Sequence, residues 1–173
     1  MDMLAAWVLS AIVAISLVLQ LTLHELPCPL CLLQRAGLLI IALTLAFNLL
    51  FGRSTRHYGF TIITAVLTAI FAFRQVGLHS LPDSGSYGFP VWGISLYAWI
   101  SIVAGVMILY TAFMLIITQG TAGLEPPAAS KKLSRITIYI VILLALANTV
   151  SVLFECGLQN CPANPIHYQL LAH

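Results

Sequence analysis

Four of the 173 residues are cysteines, and they fall into two pairs, Cys28 with Cys31 and Cys156 with Cys161. The first pair stands in Pro27-Cys28-Pro29-Leu30-Cys31-Leu32-Leu33-Gln34-Arg35, between two long apolar runs. With Cys28 at a helix N-cap, Pro29 takes the first helical position, where its missing N–H costs nothing, and Cys31 falls in the first turn. Both sulfurs then face the positive end of a helix, whose unpaired N–H groups and dipole favour a thiolate over a thiol. Such a sulfur is both a nucleophile and a good leaving group. Arg35, one turn beyond Cys31 on the same face, brings a cation within reach of that thiolate or of an oxygen on a bound acceptor. The stretch reads as a redox dithiol with an electrostatic helper; a structural disulfide and half of a metal site are the other uses of a C-x-x-C.

The second pair is spaced for a small disulfide loop, with Gly157 easing the turn. Its two uses are a static staple for a short tail and a shuttle that exchanges with the first pair. Arg35 and Arg74 both lie inside apolar runs, where an arginine costs roughly 2.5 to 3.5 kcal/mol unless it snorkels or finds a partner. His24 is either a proton relay to the dithiol or a residue of the wet interface. Trp92, Tyr97 and Trp99 form either an interfacial aromatic belt or the wall of a ring-binding pocket.

These residues need elements to hold them, and composition says which. At 61% hydrophobic and 7% charged, the chain is far from a soluble domain, where about 25% of residues are charged. It reads as an all-α integral membrane protein. Five segments are long enough to span a bilayer: Met3 to Leu23, Leu30 to Phe51, Tyr58 to Leu78, Val91 to Ile117 and Ile136 to Phe154. The first is expected to be a retained helix, because Met1-Asp2-Met3 carries no cation and the run exceeds a signal's apolar core of about 7 to 15 residues. Asn148, the strongly polar side chain of the fifth segment, is expected to bond to a neighbouring helix.

Of the seven Lys and Arg residues, Arg53 and Arg56 occupy one short loop and Lys131, Lys132 and Arg135 another. The positive-inside rule makes those loops cytoplasmic, the N-terminus inside and the C-terminal tail outside. All four cysteines then share one oxidising compartment. The chain divides into a bundle over 1–117, a cytoplasmic linker over 118–135, and a fifth helix with its cysteine-bearing tail over 136–173.

Together these features resemble the disulfide bond formation protein B family, DsbB, bacterial inner-membrane quinone reductases that reoxidise a periplasmic thiol oxidase. The likeness covers Leu4 to Ile117. It is carried by Cys28-Pro29-Leu30-Cys31 with Arg35, and more weakly by Arg74-Gln75 and by Gly93-Ile94-Ser95-Leu96 with Trp99. The resemblance implies a four-helix bundle, here with a fifth transmembrane helix added. It implies ubiquinone or menaquinone as cofactor, with Cys31 at the ring, Arg35 at its oxygen, and Arg74 and His79 near it. It also implies a DsbA-like thioredoxin-fold partner, in a membrane-lipid setting without nucleic acid, and exchange between Cys28 and a second cysteine pair. The family's usual second pair lies between helices three and four, where this chain has no cysteine; Cys156 and Cys161 stand in that place by chemistry and topology alone. Electron flow in the opposite sense, as in vitamin K epoxide reductases, and a four-thiolate zinc site holding the tail to the bundle are the alternatives.

Overall fold

The apolar runs fold into five helices, α1 Asp2–Leu23, α2 Pro29–Phe51, α3 Thr55–Leu78, α4 Leu96–Thr118 and α5 Ala128–Cys156. The computed structural model describes residues 1–23, 26–79, 91–118, 128–157, 161, 168 and 170. Each helix is long and apolar enough to cross a membrane, and the described residues contain no strand beyond one isolated bridge. His24, the loop over 80–90, half of the expected linker and most of the tail lie outside the described residues. Because the helices alternate in direction, the start of α2, the ends of α1, α3 and α5 and the start of α4 share one end of the bundle. All four cysteines belong to that dithiol end.

Two boundaries differ from the apolar pattern by more than a turn of helix. Residues 91–95 do not begin α4; Trp92 (φ 54°) and Gly93 (φ 78°) form a tight turn closed by the Val91–Ile94 bridge. Positive φ at both central residues is the signature of a two-residue reversal, and glycine accepts it without strain. The second difference is that α5 starts at Ala128, so Lys131, Lys132 and Arg135 are helical rather than part of a linker. Hydropathy marks what the bilayer accepts, whereas a helix continues through charged residues into the interface, and Pro126-Pro127 mark its start in the sequence.

Packing is organised on α2, which lies against α1, α3 and α5. Lipid provides no hydrophobic drive between helices, so close approach and interhelical hydrogen bonds hold them together. Close approach is sharpest at Gly37, where an added Cβ would overlap Thr68 Oγ1 of α3. Polar ties span the remaining contacts. Thr44 and Thr61 share a hydrogen bond at 2.8 Å, Ser134 donates to the Ala46 carbonyl at 2.6 Å, and Trp7 Nε1 donates to Thr137 at 3.0 Å. At the end opposite the dithiol, buried Asp2 accepts from Tyr58 at 2.8 Å and from Tyr110, joining α1, α3 and α4. Asn148 has not found the expected interhelical bond at Oδ1, which has no hydrogen-bond partner among the described residues.

Along its length α4 packs closely on α3 alone. Tied to α1 near its far end by the Asp2–Tyr110 bond, it leaves a space between the dithiol-side halves of α1 and α4. Gly37→Ala should destabilise the bundle by about 1–3 kcal/mol, the usual cost of overpacking, and Thr68→Ala should recover part of that loss. Thermal unfolding in detergent checks this; strictly additive effects of the two substitutions would show that the helices do not meet there.

Candidate redox site

Cys28 is the N-cap of α2, with Pro29 in the first turn, and its Sγ accepts from the Cys31 N–H at 3.2 Å. The local sequence dictates this arrangement: proline sets the helical φ and a side-chain acceptor satisfies an otherwise orphaned N–H. The two sulfurs lie 2.6 Å apart, close enough to form a bond of about 2.05 Å with little backbone movement. Cys28 sits just outside the membrane-spanning part of α2. Its hydrogen bond with Cys31, together with burial, pushes its thiol above the ordinary cysteine range.

A pair of amides holds the sulfurs from behind. Gln75 of α3 is 0% exposed and donates from Nε2 to Cys28 Sγ at 3.1 Å and Cys31 Sγ at 3.2 Å. Gln34 donates to Gln75 Oε1 at 2.7 Å, which fixes the amide with its N–H groups toward the sulfurs. A hydrogen bond to a charged acceptor contributes about 1.5–3 kcal/mol, so this clamp favours negative charge on the pair.

Arg35 does not snorkel away from the bundle. Its Nη1 donates to Gln20 Oε1 at 2.6 Å and its Nη2 to the Ser16 carbonyl at 3.1 Å, both on α1. Gln20 in turn donates to Ser151 of α5 at 2.7 Å. These bonds use two of the five N–H donors of a guanidinium.

Cys31 and Arg35 both line the space between α1, α2 and α4, a cavity of about 490 Å³ with predominantly apolar walls. This lies within the 300–1,000 Å³ typical of small-molecule sites, where a few polar groups orient a mostly apolar ligand. Trp92, Tyr97 and Trp99 all contribute to its wall. Trp99 is fixed by donating to the Val91 carbonyl at 3.1 Å, while Trp92 is 89% exposed at the turn.

The remaining candidates are placed differently. Arg74 is exposed on α3 and is absent from the cavity wall. His79 caps α3 and lies behind that wall, its ring 5.3 Å from that of Tyr97. Cys156 is buried, Cys161 is half-buried, and the two are joined by a disulfide. The zinc alternative finds no support in this geometry, since Cys156 and Cys161 bond to each other while Cys28 and Cys31 face Gln75. Gln20 and Gln34 are residues that motif reading gave no role, and Gln75 entered it only as the neighbour of Arg74. Their signal was present, since an amide within an apolar helix must find a partner or a use.

Gln75→Leu should slow alkylation of the dithiol by iodoacetamide about tenfold at fixed pH, through loss of a charge-assisted hydrogen bond. Gln34→Leu should act in the same direction and less. Equal rates in all three proteins would place the amide away from the sulfurs.

The sequence model of one family, described as Disulfide bond formation protein DsbB, matches residues 1–88. No curated protein and no solved structure matches the chain.

Proposed function

The chain belongs to the disulfide bond formation protein DsbB family, and from that premise we propose that it is a thiol:quinone oxidoreductase that draws electrons from a periplasmic dithiol partner. The carrying observation is the convergence of Cys31 and Arg35 on one apolar, aromatic-flanked cavity. Membership in the family already makes it a multi-pass membrane protein of the disulfide-forming machinery. The proposal adds the acceptor, the partner, the residue roles and the inner-membrane orientation with the dithiol end outside, the last supported by Arg53, Arg56, Lys131, Lys132 and Arg135 at the other end.

The cavity suits a quinone on three counts. Apolar side chains of α1 and α4 accommodate an isoprenoid chain, Tyr97 and Trp99 flank a ring, and Arg35 has N–H donors left for a ring oxygen. A bound quinone supplies an acceptor for two electrons and two protons. The chain's own part is to hold Cys31 at the cavity wall, to keep a proton on Cys28 and to fix the guanidinium through Gln20 and Ser16. Oxidation joins Cys28 to Cys31, and the gap between the sulfurs is already short.

Refilling the dithiol needs a second exchange. A thiolate of a DsbA-like thioredoxin-fold partner attacks the half-buried Cys161, breaking its bond to Cys156 and forming a mixed disulfide. Its second thiol then releases the oxidised partner, leaving both tail sulfurs reduced. Cys156, on the bundle side of the loop, attacks Cys28 of the oxidised first pair and frees Cys31. Closure of Cys156 onto Cys161 completes the transfer, with two electrons moved at each stage.

Quinone reduction by the purified protein, with a reduced DsbA-like donor, is the direct test. Cys31→Ser should abolish it; turnover at the unmutated rate would end the assignment. Arg35→Lys keeps the charge and loses the planar fork, so quinone KM should rise about tenfold. The double change Cys156→Ser with Cys161→Ser should stop oxidation of the protein donor while a small dithiol still drives quinone reduction. Continued donor oxidation at the normal rate would make the tail disulfide a staple.

A further inference from the structure

Glu155, in the last turn of α5, lies outside the family match and outside every role assigned above. It is 1% exposed, and its Oε2 has no hydrogen-bond partner among the described residues. A carboxylate buried without a donor is costly, whereas the neutral acid is tolerated far better. Its position is not remote. Ser151, one turn earlier on the same face, is bonded to Gln20, and Gln20 to Arg35. Through that chain Glu155 shares the dithiol end of the bundle with Arg35 and Cys31, both on α2. From α1 the side chain tied to this stretch of α5 is Gln20, which does not titrate, and Cys156 beside Glu155 is held in the tail disulfide.

We propose that Glu155 stores the second proton of dithiol oxidation and exchanges places with the Cys31 thiolate as the counter-charge of Arg35. This rests on reading Cys28 and Cys31 as the dithiol that reduces a quinone. In the reduced site Cys28 carries a proton, Cys31 is a thiolate balanced by Arg35, and Glu155 is a neutral acid. Closing the Cys28–Cys31 bond removes two electrons, the Cys28 proton and the thiolate charge. Glu155 then releases its proton and becomes the anion facing Arg35. Two electrons and two protons leave for the acceptor, and the net charge of the buried site is unchanged. Reduction by an incoming dithiol reverses each step: two electrons open the bond, one proton returns to Cys28 and the other to Glu155. A constant net charge avoids the desolvation cost that an uncompensated cation or anion would impose at either stage.

The test counts protons without any quinone. The full-length protein is equilibrated with thiol/disulfide buffers near neutral pH, and the Cys28/Cys31 redox state is read by alkylation and mass spectrometry. The pH dependence should correspond to two protons per two electrons in the unmutated protein and in Glu155→Asp, and to one in Glu155→Gln. The same count in Glu155→Gln as in the unmutated protein would overturn the proposal. A second measurement does not depend on the variants folding. Infrared difference spectra of the unmutated protein should show a protonated-carboxyl band in the reduced state that is lost on oxidation; a spectrum without such a change would also overturn it. Because quinone is absent from both measurements, a chain that fails to reduce quinone still yields a proton count, and the two readings fail separately.

Discussion

An arginine set a turn into an apolar helix has to be held by protein, and in this chain that requirement draws three helices together. Arg35 of α2 reaches across to Gln20 and the Ser16 carbonyl of α1, and Gln20 reaches on to Ser151 of α5. Inside a bilayer there is no water to accept such donors, so the alternative to these bonds is a cost of several kcal/mol. The same guanidinium lines the cavity beside Cys31. One side chain therefore fixes the relative placement of α1, α2 and α5 and supplies the positive charge of the redox site.

The dithiol is organised by an independent set of bonds. Proline and the cap geometry place Cys28 and Cys31 at the start of α2, and Gln75 of α3 closes over them under the control of Gln34. Because α2 contacts α1, α3 and α5, it carries the reactive pair at the best-buried helix of the bundle. The cavity exists because α4 is not drawn in with the others. Bonded to α1 near the opposite end through Asp2 and Tyr110, it packs closely on α3 and stands away from α1 on the dithiol side. The turn at Trp92 and Gly93, followed by the bond from Trp99 to Val91, then sets aromatic side chains across that opening.

The fifth helix is integrated into this arrangement rather than appended to it. Ser151 supports the Arg35 network, Trp7 and Ser134 provide further ties to α1 and α2, and the helix ends at Glu155 and the tail disulfide. A second cysteine pair delivered by α5 arrives at the same end as the first, because five alternating helices return the chain there.

Much of this was decided by local sequence. Five apolar runs of spanning length, the pairing of the cysteines at one end, and the cap that places Cys28, Pro29 and Cys31 all follow from residue type and short-range spacing. The start of α5 was misplaced, since hydropathy reports bilayer compatibility and helical backbone extends past it through Lys131 to Arg135. What lay beyond local pattern was which polar side chains would meet. Gln34 and Gln75 are 41 residues apart, and Gln20 and Ser151 are 131 apart; an amide in an apolar run announces that it needs a partner without naming one. Trp92, Tyr97 and Trp99 had two readings, belt or pocket wall, and the choice depended on how far α4 stands from α1. The burial of Glu155 was equally a tertiary result, because its place near Arg35 depends on the face that α5 turns toward α2. Short-range chemistry determined the elements and the reactive pair, and the need to satisfy buried polar groups across distant helices decided the site around them.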